Sequence, residues 1–328
     1  MICALCNRLL YVTNEPTRSR TVMTPRGPHY GAIEAGGTKF RCAIGASTGG
    51  ILDDCRIPTR DPVTTLGAVE NYFQSAQAKL GPVECIGIGA FGPVQVNNRS
   101  ARFGFITSTP KPGWSNTDLL EPLRRGLGRP LCLDTDVNVA ALGEWCWGAG
   151  QGLESLAYVT VGTGIGAGVV HNGRPVHGLM HPEFGHIRIQ RHPADLEFAG
   201  VCPFHGDCLE GLISGPAILA RTGRTLADVS ATHLIWEFAA DYLGQLSALL
   251  VLSHSPERIV FGGGVMQQRL LHAISGRMLH WLGGYPALQE IERASFITGP
   301  ALGAQSGVKG ALAMAMAMCP PQSGTAGR

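Results

Sequence analysis

Short apolar runs alternate with glycine-rich turns and longer helical segments along most of the chain. Runs such as VECIGIGA at 83–90 and LCLDTD at 131–136 are apolar and too short for helices, which is typical of strands buried in a parallel sheet. The segment 232–254 has the length and periodicity of an amphipathic helix. This alternation predicts an α/β protein.

One strand–turn–strand pattern occurs twice, as AIEAGGTKFRCAIG and again as YVTVGTGIGAGVV. The repetition predicts an internal duplication, with two α/β lobes facing each other across a cleft. We expect the first lobe to span residues 29–130, completed by a C-terminal helix at about 302–318. The second lobe is expected at 131–301, with an irregular loop at 181–210. Residues 1–28 are expected to be an unstructured extension and 319–328 a tail.

Charge and cysteine content narrow the class of protein. The 328 residues include 26 Lys+Arg and 24 Asp+Glu, so the net charge is near zero. This balance argues against a nucleic-acid or anionic-membrane surface, and no run approaches the ~18 apolar residues of a membrane span. Most of the ten cysteines stand singly in apolar segments, as buried thiols of a cytoplasmic protein do.

Glycine-rich turns follow three of the apolar strands. Backbone N–H groups in such turns can hold phosphate oxygens. Any one turn alone would be an ordinary turn, and none has the spacing of a P-loop, but together they favour a nucleotide site. Thr38 and Thr163 would add hydroxyl donors, and Lys39 is either a phosphate ligand or a solvated turn lysine. The turns are Gly36-Gly37-Thr38-Lys39, Gly162-Thr163-Gly164 and Gly262-Gly263-Gly264.

A second cluster has the side chains of a tetrahedral zinc site. The C-x-x-H-x-x-C spacing of Cys202, His205 and Cys208 supplies three ligands, and His186 can supply the fourth. His192 is the rival for the fourth position, and two buried thiols beside a surface histidine are the alternative to a metal site. Four protein ligands leave no position for water, so the Zn²⁺ would be structural.

These motifs together resemble the ROK family of sugar kinases, and most closely its bacterial fructokinase branch. The resemblance covers residues 29–315 and implies the actin/hexokinase-like fold of two duplicated lobes. The chain departs from the commonest family pattern at Thr135, where many members have asparagine, and in its metal motif, where many have three cysteines. The motifs that carry the resemblance are GAIEAGGTKF, FGP, TPKPGW, DTDVNVAALGE, VTVGTGIGAG, HPEFGHI, CPFHGDCLEGLISGPAI and VFGGGV.

The resemblance also implies roles for particular residues. Asp136, at the end of an apolar strand, falls where the family has its general base; Asp134 competes with it, and a helix N-cap is the structural alternative. The implied sugar-binding residues are Glu183, His186 and Glu210. Less specifically, Gly92, Pro93, Lys111 and Trp114 would shape the sugar pocket, and Gly215 and Pro216 would lie near the nucleoside.

The implied reaction is phosphorylation of a hexose at its 6-hydroxyl by ATP with Mg²⁺. Only the family branch favours fructose over glucose, mannose or an acylamino-hexose. Two other classes stay open: a sugar-responsive ROK transcription regulator and a non-catalytic sugar sensor. The segment 1–28 is too short for a winged DNA-binding module, and Asp136 with intact glycine turns argues against a sensor. A homodimer is suggested by the resemblance alone.

Overall fold

The computed structural model describes residues 27–225, 228–285 and 289–320, and these residues form two compact units. One unit contains the described residues up to Gly143 together with those from Gly307, and the other is Glu144–Ser306. The predicted N-terminal extension and C-terminal tail lie almost wholly outside the described residues.

The first unit is built on a five-stranded sheet with the order β3-β2-β1-β4-β7. The three strands at one side pair antiparallel, and the central strand continues the sheet through two parallel pairs. Of the two apolar runs predicted as buried strands, 83–90 lies inside this sheet with a strand on either side, whereas 131–135 forms its edge. The strands are β1 (His29–Ala35), β2 (Lys39–Ala46), β3 (Ile51–Pro58), β4 (Val83–Ala90) and β7 (Leu131–Thr135).

Helices and one small hairpin complete the first unit. The first strand of this hairpin lies within the segment 97–114, and it pairs antiparallel with the strand that follows the segment. The hairpin strands are β5 (Phe105–Ile106) and β6 (Thr117–Asp118), and the helices are α1 (Pro62–Leu80), α2 (Leu120–Leu127), α3 (Asp136–Trp147) and α9 (Ser306–Met318).

The boundary predicted at residue 130 is wrong. Strand β7 pairs in parallel with β4, with Cys132 opposite Gly87, and so belongs to the first sheet. The chain passes from the first unit to the second only at Gly143, within α3. A lone apolar strand does not reveal which sheet it joins, because pairing partners are distant in sequence.

Helix α9 docks tightly on the rest of the first unit, as expected of the C-terminal helix that completes this lobe. A Cβ added at Gly310 would lie 1.5 Å from the carbonyl oxygen of Val139, on α3. Only glycine permits backbones to approach this closely. The predicted start of this helix at residue 302 is four residues early, since Gly303–Gln305 is a separate 3₁₀ turn.

The second unit has its own five-stranded sheet, with the order β10-β9-β8-β11-β12. Its central strands are fully buried, and the long helix α6 lies over them within one apolar core. The strands are β8 (Ser155–Val161), β9 (Ile165–His171), β10 (Arg174–Pro175), β11 (Ile259–Gly262) and β12 (Ile297–Thr298). The helices are α4 (Leu209–Ile213), α5 (Gly215–Thr222), α6 (Ile235–His254), α7 (Gln268–Leu282) and α8 (Gln289–Glu292), with 3₁₀ turns at Phe184–His186 and Pro193–Asp195.

Among the described residues, α6 is the one helix long and apolar enough to cross a membrane by length and composition. No run of this length and apolarity was expected from the sequence, so α6 departs from that expectation. Its most apolar window is 72% buried, and that burial accounts for its composition as a core helix.

Candidate active site and metal centre

The first glycine turn, between β1 and β2, is closed by its own backbone and by a residue that the sequence analysis missed. The N–H of Gly36 donates to the carbonyl of Lys39 at 3.0 Å. Thr59, just after β3, donates its hydroxyl to the carbonyl of Gly36 at 2.7 Å and its N–H to that of Thr38 at 3.0 Å. Thr38 and Lys39 stay exposed. Thr59 therefore fixes the backbone of this turn through its carbonyl groups, while the side chains of Thr38 and Lys39 face solvent.

Glu34 is a second feature of this region that the sequence analysis did not single out. Burial raises the pKa of its carboxyl, and the cations of Arg41 and Lys39 and the N–H of Val308 partly offset that shift. A Cβ added at Gly307 would lie 2.5 Å from the Glu34 carboxyl carbon. The carboxyl thus lies at the first turn of α9, where the helix dipole favours an anion.

The predicted Gly92–Pro93 turn follows β4 and contains a cis peptide bond. The carbonyl of Pro93 accepts the N–H of Thr107 at 2.8 Å. Trp114 lies in the core beneath, with its ring 5.5 Å from that of Phe91 and its N–H donated to a backbone carbonyl at 2.7 Å. Trp114 is 0% exposed and supports the turn from inside, so it can shape a pocket there only through the position of that turn.

Asp136 and Asp134 have different surroundings at the end of β7. Asp134 is buried, and its Oδ1 accepts the N–H of Thr135 and the side-chain N–H of Asn138, both at 2.7 Å. Thr135 is the residue that caps α3, since its hydroxyl accepts the N–H of Asn138 at 3.2 Å. Asp136 begins the helix and is only partly buried. Asp134 is therefore committed to holding the helix start, and the N-cap alternative for Asp136 belongs instead to Thr135.

In the second unit, the predicted glycine segments come together at the carboxyl ends of β8 and β11. The N–H of Gly215 donates to the carbonyl of Gly162 at 2.8 Å, which brings the start of α5 against the turn after β8. The N–H of Val265 donates to the carbonyl of Val161 at 3.0 Å, which places the turn containing Gly263 beside it. Three separate sequence signals thus form one glycine-lined surface, at the edge where open α/β sheets bind ligands.

Glu210, on the short helix α4, connects this surface with the HPEFGH segment. Its Oε2 accepts the N–H of Ile165 at 2.9 Å, directly after the turn. A Cβ added at Gly164 would lie 2.7 Å from the same oxygen, so a larger residue there would displace this carboxylate. The other oxygen, Oε1, lies 4.0 Å from Nε2 of His186. One carboxylate therefore spans the glycine turn and a predicted sugar-binding histidine.

The four predicted metal ligands are brought together. Their ligand atoms all lie within 4.8 Å of one another. Nδ1 of His186 is 3.7 Å from Sγ of Cys202 and 3.5 Å from Sγ of Cys208, and Nδ1 of His205 is 3.7 Å from Sγ of Cys202. Zn–S and Zn–N bonds of ordinary length at a tetrahedral angle put sulfur and nitrogen about 3.6 Å apart. The side chains present therefore fit a tetrahedral zinc ion.

Among the same four side chains, the thiol of Cys208 is shifted toward its protonated form. Burial raises the pKa of the Cys208 thiol to about 11, with the neighbouring Cys202 and Glu210 adding to the shift. A metal cation counters such a shift, because a coordinating thiol is deprotonated outright. His186 presents Nδ1 to the sulfurs and Nε2 toward Glu210, so one ring faces two sites.

His192, the rival fourth ligand, lies elsewhere. Its Nδ1 accepts the N–H of Ala194 at 3.2 Å, and its Nε2 is 3.7 Å from a carboxylate oxygen of Glu237. The ring packs beside that of Phe238. The spacing of the two histidines in the sequence could not separate them, because the fold of the loop decides which one turns toward the cysteines.

The loop between the two halves of the metal cluster is anchored by a buried carboxylate that sequence reasoning did not find. Asp195 is 5% exposed and accepts bonds from the guanidinium of Arg221 and, at 2.6 Å, from the hydroxyl of Tyr242. Burial alone would raise the pKa of Asp195, but these partners and Arg191 lower it overall. This network ties the loop to α5 and α6.

Glu183 precedes the 3₁₀ turn that carries His186. Its Oε1 lies 2.8 Å from Nε2 of His181, a contact that the sequence analysis did not anticipate. Within the second unit the structure therefore places Glu183, His186 and Glu210 on one loop and the adjoining helix, beside the glycine turn after β8.

Comparison with known proteins adds one family match and three similar proteins. The model of the ROK family matches residues 30–318. The chain is 42% identical over 288 residues to a fructokinase of Pediococcus pentosaceus, covering 88% of this chain and 97% of that protein. It is 43% identical over 292 residues to a fructokinase of Zymomonas mobilis, covering 88% and 96%. The fold is similar to the crystal structure of a ROK hexokinase from Thermus thermophilus, with TM-score 0.70 and 28% identity, covering 88% of this chain and 98% of that one.

Proposed function

Because this chain belongs to the ROK family, we propose that it is a sugar kinase that transfers the γ-phosphoryl group of ATP to the 6-hydroxyl of a hexose, with D-fructose as the preferred substrate. The kinase activity is supported by fructokinase relatives that match nearly the whole chain. The fold agrees with the actin/hexokinase-like expectation, which the solved ROK structure bears out.

One observation carries the proposal: Glu210 contacts the glycine turn through one carboxylate oxygen and approaches His186 with the other. A phosphate-binding turn and a polar, hydroxyl-binding loop are thus joined within one unit. Phosphoryl transfer to a hydroxyl needs a held triphosphate with Mg²⁺ and a carboxylate that takes the hydroxyl proton. The glycine turns would hold the triphosphate, and a carboxylate would take the hydroxyl proton.

The proposed roles follow from this chemistry. Glu183, His186 and Glu210 accept and donate hydrogen bonds to the hexose hydroxyls, with Gly92 and Pro93 as further sugar-side residues. Asp136 removes the proton from the 6-hydroxyl as the oxygen attacks the γ-phosphorus. The partial exposure of Asp136 favours it over Asp134, which is buried and already accepts two hydrogen bonds. The polyphosphate binds to backbone N–H groups and polar side chains of Gly36, Gly37, Thr38, Lys39, Thr163, Gly164, Gly262 and Gly263, and the nucleoside lies near Gly215 and Pro216.

We further propose that His186, Cys202, His205 and Cys208 hold a structural Zn²⁺. Four protein ligands leave the ion no position for water or substrate, so its contribution is to fix the loop. By orienting His186 through Nδ1, the ion would leave Nε2 to the hexose. A cytoplasmic location and a homodimer are further proposals, the second of which rests on the family resemblance alone.

A coupled ADP-release assay tests the function. The purified protein with MgATP is offered fructose, glucose, mannose and an acylamino-hexose, and the product is identified by mass spectrometry and phosphorus NMR. We expect turnover with the highest kcat/KM on fructose and the phosphate on the 6-oxygen. Turnover with none of these sugars would overturn the proposal and favour a non-catalytic sensor.

A further inference from the structure

His181 is a buried polar side chain directly behind Glu183. It is 5% exposed, whereas the side chain of Glu183 is 31% exposed. Their contact, from Nε2 of His181 to Oε1 of Glu183, is 2.8 Å. The histidine therefore holds one oxygen of the carboxylate from the protein side, while the carboxylate itself remains accessible.

The direction of this hydrogen bond follows from the chemistry of the two groups. An ionised carboxylate only accepts hydrogen bonds, so the imidazole must donate from Nε2. In the neutral ring Nδ1 is then an acceptor. Within the described part of the chain this Nδ1 is buried and has no hydrogen-bond partner. A buried polar atom without a partner destabilises the folded state.

An apolar side chain of similar size would fill the same space without the free-energy cost of a buried, unpaired polar atom. Stability alone therefore does not explain a histidine at residue 181. What the histidine adds is the hydrogen bond to Glu183, which restricts the rotation of a side chain that is otherwise partly in solvent. Such an outer partner orients a binding group before the ligand arrives.

We propose that His181 is a positioning residue for the hexose: it fixes the Glu183 carboxylate so that the remaining acceptor positions meet adjacent sugar hydroxyls in one orientation. The inference rests on the proposed function, because it takes Glu183 as a hexose-binding residue. A fixed carboxylate discriminates between epimers whose hydroxyls point differently, and a rotating one does so less. His181 would therefore contribute to hexose affinity and to the preference among hexoses.

The test compares His181→Leu, His181→Gln and His181→Asn with the wild-type protein. Leucine removes the donor, the amide nitrogen of glutamine reaches the place of Nε2, and asparagine is too short to do so. His171→Gln is the matched control, because His171 is exposed at the end of β9. Each variant is measured for its melting temperature, for KM of hexose and ATP separately, and for hexose affinity by calorimetry.

For His181→Leu we expect the hexose KM to rise about 10- to 100-fold, the range typical for the loss of an outer partner that orients a binding group. The KM for ATP and the melting temperature should stay at or above the wild-type values, and the ratio of kcat/KM for fructose to that for mannose should fall. Glutamine should restore most of the affinity, and asparagine should not.

A wild-type hexose KM in His181→Leu would overturn this inference while leaving the kinase function intact. A melting temperature that falls in proportion to the affinity would also overturn it, because that result indicates an ordinary core histidine. So would a His181→Gln variant whose hexose affinity is no better than that of His181→Leu. If the wild-type protein neither phosphorylated nor bound any hexose, the proposed function itself would be refuted. That result comes from the wild-type measurements alone and does not depend on the variants.

Discussion

A methyl group added at Gly185 should impair hexose phosphorylation although this residue has no side chain of its own to contact a sugar. Gly185 lies between Glu183 and His186 in the 3₁₀ turn. An ideal Cβ at this position would be 1.8 Å from the carbonyl oxygen of Ile165 and 2.8 Å from its carbonyl carbon. Real Cβ atoms essentially never approach another atom closer than 3.0 Å.

The two backbones must therefore separate by more than about 1 Å, a displacement large enough to cost about 100-fold in rate when it misplaces binding or reacting groups. Both neighbours of the clash matter. On one side, Glu183 and His186 would move. On the other, Ile165 would move with the N–H that it donates to Glu210. We expect kcat/KM for the hexose to fall about 100-fold, equivalent to about 2.7 kcal/mol in transition-state stabilisation.

Gly178 provides the matched control in the same loop. A Cβ there would meet nothing within 4 Å, so Gly178→Ala should keep wild-type kinetics. The ADP-release assay with fructose measures both variants, with melting temperature and zinc content recorded for each. Overpacking at Gly185 should also lower stability by about 1–3 kcal/mol. Gly185→Ala with wild-type kcat/KM and melting temperature would refute the close approach and the placement of the site that depends on it.

Three further predictions concern other parts of the site. Asp136→Asn should abolish turnover while sugar affinity, measured by calorimetry, changes little; near-normal kcat would remove Asp136 from its proposed role. A strong zinc chelator should lower activity and melting temperature together, and Cys208→Ser should reproduce both effects without chelator; a metal-free protein that stays folded and active would contradict a structural zinc. Because burial raises the pKa of Glu34 above its ordinary value of 4.5, its contribution to stability is fully present below pH 4.5 and is lost as pH rises through the folded-state value. Glu34→Gln should therefore become more stable relative to the wild type as pH increases from 4 to 7 in urea titrations, and a difference that does not depend on pH would contradict the shift.

Much of the secondary structure could be predicted from local patterns. Strand β4 has the bounds of the apolar run at 83–90, and β7 covers all but the last residue of the run at 131–136. Helix starts depend more on the fold: α2 begins at Leu120, where Asp118 accepts the N–H groups of Leu120 and Glu121 at 3.0 and 3.1 Å. Apolar runs and glycine turns can be recognised within a short segment without knowledge of the fold. The start of a helix, in contrast, depends on which polar side chain the preceding turn brings to the first N–H groups.

The sequence by itself determined the duplicated α/β pattern, the glycine turns after strands and the set of residues able to bind zinc, since each of these depends on spacing along one short segment. Only the tertiary structure decided which elements share a sheet, so β7 joined the first unit and not the second. It also decided that His186 rather than His192 faces the cysteines. The tertiary structure likewise decided the hydrogen bonds from Thr59 to the first glycine turn and from Ile165 to Glu210. They join residues far apart in the chain, and the packing of whole strands and helices, which no short pattern encodes, brings those residues together.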